Sequence, residues 1–206
     1  MVRLFAALSL LCNGAVFFAT AFCIAQRHLK KNEEESELGY YRYFTVESNL
    51  FGALCALISA FFAFRTLQSG VPTAPVWAAC LKYMATAALT LTFLTVALYL
   101  VRVYGAAAMY QRHNLWMHLL TPLFSLVSFL IFDQNPALPL WMILLGMIPT
   151  AIYGGIYVIN VVYRKRWQDF YGFLQFPHWP FTFFVMILFS GLLCLALWGA
   201  HEWLFE

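Results

Sequence analysis

Thr45 and His118 are the two residues whose types, taken together, could carry out a reaction. Thr45 stands in Tyr43-Phe44-Thr45-Val46-Glu47-Ser48-Asn49-Leu50, and His118 in Asn114-Leu115-Trp116-Met117-His118-Leu119-Leu120-Thr121-Pro122. A hydroxyl is a weak nucleophile until a base within about 3 Å takes its proton. Imidazole suits that task near neutral pH. Such a pair could attack an ester carbonyl, form an acyl-threonine and release the acid with water. Polar neighbours recur at helical spacing. Thr45, Ser48 and Asn49 share one helix face, which Gly52 continues, and His118, Thr121, Pro122 and Ser125 share another. Ser48, Asn49, Thr121 and Tyr153 are the candidates for substrate or oxyanion contacts.

Each of these residues also has an ordinary structural use. A threonine in an apolar helix bonds its own i−4 carbonyl or packs against a neighbour. A histidine near a helix start can anchor at the interface. Ser48, Asn49 and the stripe Thr150, Tyr153, Tyr157 and Asn160 suit helix–helix hydrogen bonding. Glu47 lies off the Thr45 face and can reach water. Lys82, with Thr86 and Thr90 at i+4 and i+8, is expected to snorkel toward the opposite surface.

The elements that must position these residues follow from composition. Of 206 residues, 63% are hydrophobic and 10% charged, with a mean hydropathy of +0.75. One soluble core could not hide that much apolar surface, whereas side chains facing lipid need no burial. A spanning helix takes about 20 apolar residues. Apolar runs at Leu4–Ala25, Phe44–Phe64, Val76–Val101, Trp116–Phe132, Leu140–Tyr163 and Phe181–Leu204 predict an all-α, polytopic integral membrane protein. The expectation is a single six-helix transmembrane bundle with short loops and no room for a soluble domain. The first run is too long for the apolar region of a signal peptide, about 7–15 residues, so it is read as a mature helix. Cys12, Cys23, Cys55, Cys80 and Cys194 fall in or beside apolar runs with no C-x-x-C, as small packing residues do.

Charge gives the orientation. Nine of the twelve Lys and Arg residues, Arg27, Lys30, Lys31, Arg42, Arg102, Arg112, Arg164, Lys165 and Arg166, fall on the side of loops one, three and five. Arg3, Arg65 and Lys82 fall on the other. The positive-inside rule therefore places the odd loops in the cytoplasm and both termini outside. Loop one carries the charged run Lys30, Lys31, Glu33, Glu34, Glu35 and Glu37, read as a solvated connector. The aromatic stretch Phe176-Pro177-His178-Trp179-Pro180 suits the headgroup level. Spans two and four are entered from the same side. Thr45 and His118, each about one turn inside, or roughly 3–5 Å along the axis, should lie at similar depth in one leaflet.

The Thr45 and His118 segments, with Pro149 and Tyr153 in span five, resemble the androgen-induced transmembrane threonine hydrolase family and its six-span bacterial relatives. The similar layout covers nearly the whole chain, and the motifs cover spans two and four. The resemblance implies lipid-ester hydrolysis, in the animal members of fatty acid esters of hydroxy fatty acids, with the threonine at Thr45 and the histidine at His118. This chain has Glu47 where the bacterial form often has Gln. It reads Phe132-Asp133-Gln134-Asn135 where an Asp-Trp is frequent, which bears on substrate choice.

Other classes carry their own expectations. A small transporter or lipid-binding membrane protein fits the size, but there is no inverted repeat or pair of broken helices. A haem carrier would need facing histidines, and His28, His113, His178 and His201 lie in loops or at helix ends. An acyltransferase would use the same acyl-threonine with an alcohol in place of water. The net charge of +3 does not suggest nucleic-acid binding. The expected partners are a lipid ester and membrane lipids, with no cofactor and no metal.

Overall fold

The computed structural model describes residues 1–29, 37–175 and 178–205. Lys30, Lys31, Glu33, Glu34 and Glu35 of the charged run lie outside them, as do Phe176 and Pro177. Six helices are long and apolar enough to cross a membrane: Val2–Leu29, Phe44–Ser69, Val76–Tyr104, His113–Phe132, Met142–Tyr163 and Trp179–Leu204, here spans one to six. No strand occurs among the described residues. The chain is an all-α, multi-pass membrane protein built as a six-helix bundle. Several spans run past the apolar windows, span one through Arg27 and His28 and span two through Arg65. Backbone hydrogen bonding continues where the side chains have already turned polar.

Local chemistry sets the ends. Gly70 stops span two by adopting the left-handed conformation (φ 76°), and its N–H donates to the Thr66 carbonyl at 2.8 Å. Pro75, which has no N–H to leave unpaired, precedes the first residue of span three. Span three is the central helix. Of its apolar window 56% is buried, against 17–39% for the other five, and it packs on spans two, four, five and six. Its buried alanines, among them Ala79, Ala85 and Ala88, let neighbouring backbones come close. Glycines do the same from the other side. A Cβ on Gly52 of span two would stand 2.6 Å from Leu89 Cδ1, and one on Gly146 of span five 2.7 Å from the Tyr83 ring. Tyr83 anchors the core, with its hydroxyl donating to the Cys194 carbonyl at 2.7 Å and its ring beside Phe129. All five cysteines are free thiols.

Lys82 overturns one expectation. It does not snorkel: it is 1% exposed, and its ammonium lies 3.7 Å from Asp133 Oδ2. It donates to Asn13 Oδ1 at 2.6 Å and lies 3.3 Å from Ser125 Oγ. Asn13 donates in turn to Asp133 Oδ1 at 2.9 Å, as Ser9 does at 2.7 Å and as Ser128 does. Desolvating a charge in a bundle is costly unless it is paired and hydrogen-bonded. Spans one, three and four together supply that pairing. Hydropathy treats Lys82 as a lone cation, because its partner stands 51 positions along the chain.

Candidate functional site

Span two begins at Phe44, and its first N–H groups need partners from outside the helix. The Phe44 N–H donates to the Tyr171 hydroxyl at 3.2 Å, so loop five caps the helix that carries Thr45. One residue on, Thr45 is partly exposed. Its carbonyl accepts from Asn49 Nδ2 at 2.7 Å and from Ser48 Oγ at 3.2 Å. Its hydroxyl makes no hydrogen bond among the described residues.

Span four opens irregularly. After His113–Leu115 the chain widens into a π turn over Trp116–Leu120. In that register the group five residues beyond Met117 is Pro122, which has no N–H to donate. The Met117 carbonyl is left for Asn49 Nδ2, at 2.9 Å. The Thr121 hydroxyl donates to the Asn49 side-chain carbonyl and lies 3.0 Å from the Trp116 carbonyl. Asn49 thus clamps span two onto the turn that holds His118, and its amide is fully used.

His118 is 9% exposed, and its Nδ1 lies 2.8 Å from the Met109 carbonyl. A carbonyl can only accept, so Nδ1 carries the hydrogen and Nε2 of the neutral ring keeps the lone pair. The group orienting His118 is therefore a main-chain carbonyl at the end of the short helix Ala106–Met109, not a carboxylate.

Thr45 and His118 line one cavity of about 450 Å³, together with Tyr43, Tyr104, Asn114, Met117, Phe170 and Tyr171. The other sequence candidates lie elsewhere. Tyr153 donates to the Arg42 carbonyl at 2.8 Å and lines two neighbouring cavities. One of these, about 330 Å³, lies between spans three, five and six. The other, about 390 Å³, lies between spans two and five and also includes Ser48, whose hydroxyl is 2.8 Å from Thr92 Oγ1. Asn49 and Thr121 are both engaged in the clamp.

Loop five is the part that sequence reading missed. It folds back against span five, where Trp167, Phe170, Tyr171 and Phe173 pack on Tyr157, Val158 and Val161. Asp169 organises it, accepting from the Tyr157 hydroxyl at 2.9 Å and from the N–H groups of Phe173 and Leu174 at 2.8 and 2.7 Å. Arg42 lies over the Phe170 ring, 4.8 Å from its centroid. Burial pushes the Tyr171 phenol up to about 12, so it stays a neutral hydroxyl above the Phe44 N–H. An aspartate set among Trp167, Phe170, Tyr171 and Phe173 was the available signal. His201, at the end of span six, is buried and stacked on Phe129 at 5.1 Å. No cluster of three or more His, Cys, Asp or Glu residues suited to a metal occurs among the described residues.

Compared with known families, curated proteins and solved structures, the chain matches no family model, no curated protein and no solved structure.

Proposed function

We propose that this chain is an intramembrane lipid-ester hydrolase, with Thr45 as nucleophile and His118 as its base. The observation that carries this reading is that both residues line one cavity while Nδ1 of His118 is tied to the Met109 carbonyl. With the hydrogen on Nδ1, the lone pair is on Nε2, which is the proton acceptor in this reading. In the proposed reaction, Thr45 Oγ bonds to the ester carbonyl carbon and gives its proton to His118 Nε2. The tetrahedral intermediate collapses, the ester C–O bond breaks, and the leaving alcohol takes that proton. Water then loses a proton to Nε2 and attacks the acyl-threonine, and the returning proton restores Thr45 as the fatty acid leaves. The substrate class is a fatty acyl ester, such as a fatty acid ester of a hydroxy fatty acid. Its ester would sit one turn inside the odd-loop face and its chain among the apolar side chains of the bundle.

The oxyanion donors in this reading are not Asn49 or Ser48, which are committed to other groups. Tyr43 and Tyr104 carry phenols on the cavity wall that donate to no other group among the described residues, and they take that role.

The test is residue identity. Protein purified in detergent is treated with a serine/threonine-hydrolase probe and assayed for ester turnover. Thr45→Ala abolishes labelling and turnover. Thr45→Ser, which keeps the hydroxyl, retains part of both. His118→Ala is nearly as damaging as losing the nucleophile, because the two act as a unit. Thr90→Ala is the control, since that hydroxyl bonds its own helix at the Thr86 carbonyl, 2.7 Å away. A monodisperse Thr45→Ala protein that hydrolyses lipid esters at the parent rate overturns the reading.

A further inference from the structure

We propose that the cleft between spans two and five binds a lipid with a quaternary-ammonium headgroup, and that Glu47 is its counter-charge. The site is separate from the Thr45 cavity. Glu47 lies two residues past Thr45, roughly 200° around the helix, and faces the 390 Å³ cavity on the other side of span two.

Three observations support a cationic occupant. Glu47 is exposed and only three residues past the start of span two, roughly 5 Å along the axis. A carboxylate at that depth requires water or a positive partner. Among the described residues no cation is paired with it. Arg42, nearest in sequence, is turned away over the rings of Tyr43 and Phe170. The second observation is the wall around the carboxylate, which is aromatic: Tyr41, Phe44, Tyr153 and Trp167 line the same cavity. Ring faces attract cations, and a carboxylate among several rings is the chemistry that recognises quaternary ammonium.

The third observation separates quaternary from primary ammonium. A primary ammonium brings three N–H donors that need acceptors. The hydroxyls here already share in other hydrogen bonds: Tyr41 is 2.8 Å from His28, Tyr153 donates to Arg42, and Ser48 is bonded to Thr92. Beside their remaining lone pairs, the Glu47 carboxylate is the one strong acceptor on a wall otherwise made of rings and aliphatic groups. A quaternary ammonium needs no acceptor and loses nothing.

The span-five wall suits the lipid's chain. Ile148, Ile152 and Ile156 stand at i, i+4 and i+8 on span five and form one exposed apolar strip along the cleft. A molecule with a cationic head and a hydrocarbon tail matches both ends of the cleft. Phosphatidylcholine has that chemistry.

The experiment is native mass spectrometry of the full-length protein in detergent, titrated separately with phosphatidylcholine, phosphatidylethanolamine and phosphatidylglycerol of identical chains. The parent protein should bind phosphatidylcholine roughly threefold to tenfold more tightly than either other lipid, the range expected of cation–ring contacts. Glu47→Gln should lower phosphatidylcholine affinity and abolish its lead over phosphatidylglycerol, whose own affinity should not fall. Equal binding of the three lipids overturns the proposal, as does tighter phosphatidylethanolamine binding or an unaltered preference in Glu47→Gln. If Glu47→Gln cannot be purified intact, Trp167→Leu decides. Loss of the preference supports the site, and a preserved preference overturns it. Neither result depends on Thr45 chemistry.

Discussion

The side-chain amide of Asn49 in span two donates to the Met117 carbonyl in span four at 2.9 Å, and Met117 is the residue before His118. The same amide donates to the Thr45 carbonyl at 2.7 Å. One side chain therefore fixes the backbone of both proposed catalytic residues. Asn49→Ala should lower stability by about 1–2 kcal/mol, as interhelical hydrogen bonds in bundles do. It should also reduce turnover strongly while Thr45 and His118 remain present. Thermal unfolding in detergent and ester hydrolysis measure the two effects. Parent values in both would remove the clamp from the explanation.

The His118 role predicts a pH profile. The ring must be neutral to accept the Thr45 proton, and protonation fills the Nε2 lone pair. Turnover should therefore be sustained at neutral to alkaline pH and fall as pH drops through the histidine range, for which the reference value is about 6.5. A profile that stays flat from acid to alkaline pH is incompatible with this base.

Lys82 and Asp133 form a buried ion pair whose members should respond unequally to single and double substitution. Lys82→Met leaves Asp133 uncompensated, and Asp133→Leu leaves Lys82 so. Each should cost about 3–5 kcal/mol. The double variant removes both charges and should recover most of that loss. A thermodynamic cycle of melting measurements in detergent reads the coupling. Additive losses would show that the two charges do not act as a pair.

Orientation can be read with cysteine accessibility in a background lacking the five native cysteines. Ser69→Cys, beyond the end of the apolar part of span two, should react with an impermeant reagent applied from outside. Gln111→Cys, in loop three, should react only after the membrane is opened. The reverse pattern would invert the charge-based orientation, while leaving Thr45 and His118 on one side of the bundle.

The sequence alone determined the class of the molecule and the number of its spans. Membrane helices satisfy their backbone internally, so a run of apolar residues is sufficient to specify each one without reference to its neighbours. It also singled out Thr45 and His118, because both follow local helix starts that can be counted along the chain.

Tertiary structure decided everything that depends on partners distant in sequence. Lys82 reads as a surface-seeking cation until Asp133 is brought beside it. Asn49 reads both as an oxyanion candidate and as a helix–helix hydrogen bonder until Thr45, Met117 and Thr121 engage its amide. The orientation of His118 comes from the carbonyl of Met109, a group that every residue carries and that no residue type can signal. Loop five folds back on span five because Asp169 gathers the Tyr157 hydroxyl and two backbone N–H groups around one carboxylate. In each case the deciding force is satisfaction of a buried polar group, and the group that satisfies it is known only once the helices have packed.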